Sequence, residues 1–300
     1  MKFTSPVFII ATALFIISCK ENTTEKDKAE IKIEEKTPVT TQKEVSFKQL
    51  WATDTIFKTP ESVLYDQKRN VLYVANVNKN PWKKDGNGFI SKITTDGKPI
   101  QIDWITGLNS AKGMGVYEDK LYVTDVDAVV EIDIEAGKIL NRYAVDDTMK
   151  LNDISIDSDG TVYVTDMQEG RIFTLNNGKL TVWKDGLNAP NGVFVEADRV
   201  LIASSGDGSL RAYDKIAKEE TIIANDMTSG DGLEATKSGD YVMSNWGGEV
   251  FLVKDGKSTL LLDTKEQKKQ TADIGIIKNQ NIVLVPTFFD NRVVAYKLEM

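Results

Sequence analysis

The chain has no histidine and one cysteine, and these two shortages remove most of the familiar hydrolytic machinery. Without imidazole there is no Ser-His-Asp triad, no Cys-His pair and no His-ligated metal. A lone cysteine forms no intramolecular disulfide, so packing alone must hold the fold. No phosphate-binding loop or dinucleotide fingerprint sits on a strand-to-helix turn. Basic stretches are missing from residues 45–300, and the formal net charge is −8, which argues against a nucleic-acid partner. Any catalysis has to run on carboxylates, lysine or a bound metal.

Long apolar runs are missing too, with one exception at the N-terminus. Lys2 precedes Val7–Ile17, a run too short to cross roughly 30 Å of hydrocarbon as a helix. Ile16-Ile17-Ser18-Cys19 then gives the small-residue-then-cysteine ending of a bacterial lipoprotein signal. The reading is a signal peptide over 1–18 and lipidation at Cys19, which leaves no free thiol. Lys20 stands where an aspartate would retain the protein at the inner membrane. An outer-membrane anchor in the cell envelope is therefore expected, with the lipid as the only membrane contact. Residues 19–44 are rich in charge and threonine without an apolar period, the composition of a tether. Residues 45–300 fit one all-β domain, expected to be a monomer.

That domain repeats at roughly 40 residues. A short β-rich run ending in a polar residue recurs six times: Leu72–Asn76, Leu121–Asp125, Val162–Asp166, Val200–Ser204, Tyr241–Asn245 and Val283–Thr287. An apolar strand precedes each run and a third strand follows it. Five repeats add a fourth strand, from Ile100–Thr106 to Ser258–Thr264. The sixth stops at Met300 after three, which would leave an open edge. Ser46–Thr53 precedes the first repeat, has no other partner and resembles the fourth strands. The pattern predicts a six-bladed β-propeller in which this N-terminal strand completes the last blade and closes the ring.

Strand alternation puts the starts of first strands and the ends of second strands on one face, the former nearest the axis. Around the ring the first-strand starts read Glu61, Gly113-Met114, Asn152, Asn191, Asp231 and Asp273. The last four are 39, 40 and 42 residues apart. Five of six blades thus aim a carboxylate or carboxamide at one small volume. Carboxylates so close repel unless something positive joins them. Carboxylate and amide oxygens with water are the ligand set of Ca²⁺, Mg²⁺ or Mn²⁺, and suit Zn²⁺ less well. Against this stands the commonness of Asn-Gly and Asp-Gly as turn dipeptides, by which Asn191-Gly192 and Asp231-Gly232 would merely shape loops.

In these residues the chain resembles the regucalcin/gluconolactonase family of six-bladed propellers. A glutamate in a context like PESVLYD opens the first blade there, an Asn-Asp pair comes two blades later, and Asn-Gly then Asp-Gly open the next two. Here these are Glu61, Asn152-Asp153, Asn191-Gly192 and Asp231-Gly232. The resemblance implies Glu61, Asn191 and Asp231 as ligands of one divalent cation, with Asn152 nearby and Asp231 also as general base. One departure is Lys150, a point charge where the family has a substrate-gripping arginine fork. Val162–Leu175 also looks like repeats of NHL-type propellers, many of which bind without catalysing.

Two functions stay open at this stage. One is metal-assisted hydrolysis of a lactone or related ester, a sugar lactone among the candidates, with Lys150 and Asn152 orienting the substrate. The other is a ligand- or protein-binding propeller whose metal is structural or absent. The long connection Val77–Gly88 carries Trp82 to the polar face, where its ring could cover the pocket or stack on a ligand.

Overall fold

The computed structural model describes residues 45–145 and 150–300. The expected signal, the lipidation site at Cys19 and the tether lie outside the described residues. After β1 (Ser46–Ala52) come six sets of strands. Blade one is β2 (Pro60–Asp66), β3 (Val71–Asn76), β4 (Gly88–Thr94) and β5 (Pro99–Leu108). Blade two is β6 (Ala111–Tyr117), β7 (Lys120–Asp125), β8 (Ala128–Asp133) and β9 (Lys138–Ala144). Blade three is β10 (Leu151–Ile156), β11 (Val162–Asp166), β12 (Arg171–Asn176) and β13 (Lys179–Lys184). Blade four is β14 (Pro190–Val195), β15 (Arg199–Ser204), β16 (Leu210–Asp214) and β17 (Glu220–Ala224). Blade five is β18 (Leu233–Ala235), β19 (Tyr241–Asn245), β20 (Glu249–Lys254) and β21 (Lys257–Asp263). Blade six has only β22 (Gly275–Ile277), β23 (Ile282–Pro286) and β24 (Val293–Glu299) of its own. Its outer edge is β1, paired antiparallel from Ser46 opposite Glu299 to Ala52 opposite Val294. The ring closes as the repeat count required.

Burial explains why the second strands carry the clearest repeat. They are sandwiched between neighbouring blades, so both faces must be apolar, and β3, β11 and β19 are buried at every position. Fourth strands lie on the rim, and β9 shows water most of its residues. The core is accordingly a set of inter-blade seams. Tyr73 and Ile90 of blade one pack with Leu121, Val123 and Val130 of blade two, and Leu72 of blade one with Leu284 of blade six.

In blades one to four the innermost strands begin one or two residues before the expected positions, and they begin irregularly. Antiparallel register slips between Pro60 and Ser62, Ala111 and Met114, Leu151 and Ile154, and Pro190 and Val193. Each slip is a β-bulge that skips Glu61, Lys112-Gly113, Asn152-Asp153 or Asn191-Gly192. A bulge leaves its extra residue unpaired and re-aims the side chain. That is how polar residues come to point along the axis from strands that are otherwise core.

The glycines after Asn191 and Asp231 serve this geometry and not a turn, since neither has positive φ. A Cβ on Gly192 would lie 2.1 Å from the Asp231 carbonyl oxygen, and one on Gly232 would lie 2.3 Å from the Ile274 nitrogen. Adjacent blades meet backbone to backbone there. The same contact appears where the ring closes, with Asp273 N donating to Glu61 O at 2.8 Å.

Candidate functional site

One mouth of the channel opens into a cavity of about 420 Å³. Its floor is Glu61, Lys112, Asn152, Asn191 and Asp231, one residue from each of blades one to five. The three expected metal ligands and the expected substrate-side Asn152 therefore share one cavity. Each of the five is at most 5% exposed. Asn191 Nδ2 donates to Asp231 Oδ1 at 2.8 Å and more weakly to Gly230 O at 3.4 Å. Asn152 Nδ2 faces Met167 Sδ at 2.8 Å. The opposite atoms of the same groups find nothing: Glu61 Oε2, Asn152 Oδ1 and Asn191 Oδ1 are buried without a hydrogen-bond partner. Asp273, the expected contribution of blade six, sits deeper, held by Ser62 Oγ at 2.6 Å. Asp153 lies beside it and accepts from Ile154 N and Val193 N, both at 2.7 Å.

Burial and mutual repulsion set the electrostatics. Desolvation first, then the Asp231 and Asp273 carboxylates, raise the Glu61 pKa well above the ordinary glutamate value, and Lys112 opposes them. Asp231 is pushed up to about 8 by burial and by Asp273, against its bond from Asn191. Burial also takes Asp273 to about 7 and raises Asp153. Protons or a cation must neutralise this cluster. Among the described residues no three carboxylates, histidines or cysteines converge to hold a metal on their own. A cation here would need the carboxamides as well as Glu61 and Asp231. The unpaired atoms supply them, being all oxygens and all acceptors, a set that fits a hard divalent ion.

Lys112 is the residue sequence reasoning missed. Blade two was read as contributing Gly113-Met114, with no polar group. The bulge puts Lys112 in phase with Glu61, Asn152 and Asn191, and it is forty residues before Asn152, the repeat length itself. The residue is 1% exposed, with its ammonium 3.3 Å from both Ser110 O and Ser110 Oγ, and 4.2 Å from the centre of the Trp82 ring. Burial lowers its pKa to about 8, against the pull of Glu61 and Asp125. Trp82 lines the cavity wall. The Lys150 ammonium lies 5.6 Å from the centre of the same ring, and Lys150 is not part of the cavity lining.

The wall above this polar floor is largely hydrocarbon: Pro81, Trp82, Met167, Trp246, Phe288 and Phe289. Trp246 packs edge-on against Phe288 at 5.6 Å and Phe289 at 5.9 Å, and the two phenylalanines meet at 4.9 Å. Most of these residues follow the end of a second strand, so the same loops that crown the ring build the wall.

Comparison with known proteins agrees with this picture. Residues 59–263 match the family described as the SMP-30/gluconolactonase/LRE-like region. No curated protein matches the sequence. Among solved structures, the fold is similar to a catalytically inactive variant of virginiamycin B lyase from Staphylococcus aureus with quinupristin. That match has a TM-score of 0.62 and 13% identity, over 85% of this chain and 100% of the other. A putative gluconolactonase gives a TM-score of 0.62 and 16% identity, over 85% and 92%. Identities this low carry the fold alone. The family match spans more than half of the sequence, and the chain belongs to the SMP-30/gluconolactonase/LRE-like family.

Proposed function

We propose that this propeller hydrolyses a lactone or related ester at the channel mouth, with one divalent cation held by Glu61, Asn191 and Asp231. The observation that carries the reading is the trio of buried, unpartnered acceptors, Glu61 Oε2, Asn152 Oδ1 and Asn191 Oδ1. A buried acceptor without a donor costs about 1–3 kcal/mol, and three in one cavity mark a place built for something absent from the chain itself. When bound, Ca²⁺, Mg²⁺ or Mn²⁺ would polarise the substrate carbonyl and acidify a water molecule. The Asp231 carboxylate takes the proton as the water oxygen bonds to the carbonyl carbon. It returns that proton to the ring oxygen as the ester C–O bond breaks, leaving a hydroxy acid. Asn152 orients the substrate from the floor, while Trp82, with the Lys150 ammonium 5.6 Å from its ring centre, borders the approach. The lyase among the structural neighbours is inactive with a histidine replaced, and this chain has no histidine to play such a part.

Lys112 favours a second reading. A buried ammonium beside Glu61 supplies an internal counter-charge, so the site could remain metal-free and only bind. Glu61→Gln and Asp231→Asn, made in the full chain, separate the two. The hydrolase reading expects both variants to lose bound divalent metal by elemental analysis and at least about a hundredfold in lactone turnover. Full turnover and full metal uptake in both would overturn it.

A further inference from the structure

We propose that the substrate is an apolar lactone or ester, carrying an alkyl chain or aryl group, and not a polyhydroxylated sugar lactone. This rests on the hydrolase reading of the same cavity and names its substrate class. Every hydroxyl of a sugar ring needs a partner once water is excluded, and a site that leaves them unpaired rejects the ligand. Above the floor the wall gives little of that kind. The Ser205 hydroxyl proton goes to Ala189 O and that of Ser229 to Ser205 O, both at 3.1 Å. Lys112 turns two of its three donors toward Ser110 and lies over the Trp82 ring.

Hydrocarbon surface is plentiful by contrast. Trp246 and Phe289 are 47% and 57% exposed, unusually open for large aromatics, and both face this cavity. Their edge-to-face contacts with Phe288 hold them as one aromatic cluster. Trp82 also lines the cavity, braced by the Lys112 and Lys150 ammonium groups. At about 420 Å³ the space is in the range of small-molecule pockets. A molecule with a carbonyl head and an apolar tail satisfies both halves: head to the polar floor, tail against the aromatic cluster.

The test uses the full chain with a divalent cation and γ-lactones whose side chain grows from methyl to hexyl, with glucono-δ-lactone as the polar comparison. Two readouts are taken: hydrolysis by proton release, and binding by quenching of tryptophan fluorescence. The expected result is kcat/KM rising with chain length by up to about fourfold per buried methylene, tighter binding in the same order, and little reaction with gluconolactone. The double variant Trp246→Ala, Phe289→Ala should flatten that slope, and Trp246→Phe should restore part of it. Turnover of gluconolactone with no chain-length trend would overturn the apolar class and leave hydrolysis standing. Chain-length-dependent binding without hydrolysis of any lactone would uphold the apolar cavity and sink the hydrolase reading. Absence of both binding and turnover across the alkyl series would overturn the inference.

Discussion

Two rings of polar residues crown the same face of this propeller, and they are chemically alike yet physically opposite. The outer ring ends the second strands with Asn76, Asp125, Asp166, Ser204, Asn245 and Thr287. Its members are bonded into their own blades. Asn76 donates to Val74 O and Ser91 Oγ and accepts from Lys58 N. Asp125 accepts from the backbones of Asn109 and Ser110 and from Arg142. Asn245 joins Thr228 and Glu249, and Asp166 ties down its own turn through Oδ1 while Oδ2 faces the Arg171 guanidinium at 3.3 Å. The inner ring, a few residues away in each repeat, keeps unpartnered oxygens and strongly raised carboxyl pKa values. Residue type does not separate structure from function here. Whether each buried oxygen has a hydrogen-bond donor or an ion-pair partner does.

The contrast can be broken most forcefully from the outside. Asp125→Ala strands two backbone N–H groups and the Arg142 guanidinium, and should cost about 3–5 kcal/mol of stability in chemical denaturation. Asp231→Asn, in the inner ring, removes like-charge repulsion and should leave the metal-free protein as stable or slightly more so. Equal losses in the two variants would erase the distinction.

A smaller effect should come from pH. Asp231 and Asp273 hold their protons to about 8 and 7 in the folded chain, far above an ordinary aspartate. The folded state then binds protons that the unfolded chain has released, so stability falls as pH rises from about 4.5 to 8. In a chelator the loss should be about 2 kcal/mol, moderated by water in the open cavity, and a saturating divalent cation should remove it. A melting temperature that climbs over that window in chelator would contradict the raised values. Lys112 has the reverse sign in a different window: with its pKa lowered to about 8, it adds stability as pH rises from there toward 10.5.

The smallest effect sharpens the inner ring itself. Lys112→Met removes an ammonium facing any bound cation, and should tighten divalent-cation affinity by about tenfold near pH 6.5. The gain should fade above pH 8, where Lys112 loses its charge. Titration calorimetry at the two pH values checks this, and a pH-independent gain would assign the effect to packing.

Much of this was legible in the sequence because repetition turns position into geometry. Blade number, ring closure by Ser46–Ala52 and the gathering of Glu61, Asn152, Asn191 and Asp231 all follow from phase. Lys112 escaped because oxygen ligands were sought, and blade two was read one residue late at Gly113. Bulges were invisible as well, because they depend on register against a partner strand. Gly192 and Gly232 looked like turn formers and are instead points where neighbouring backbones touch. Trp82 was found through its long loop. Trp246 and the Phe288-Phe289 pair were not, since blades five and six bring them together only in the closed ring.

That closure has a consequence for how the molecule comes to exist. The ladder between β1 and β24 joins residues more than 240 positions apart, so five complete blades and three strands of the sixth must be present before the last seam forms. Such distant pairing makes folding slow. Until it occurs, β24 offers a bare edge that the first strand of another copy fits equally well, which opens a route to strand exchange between copies.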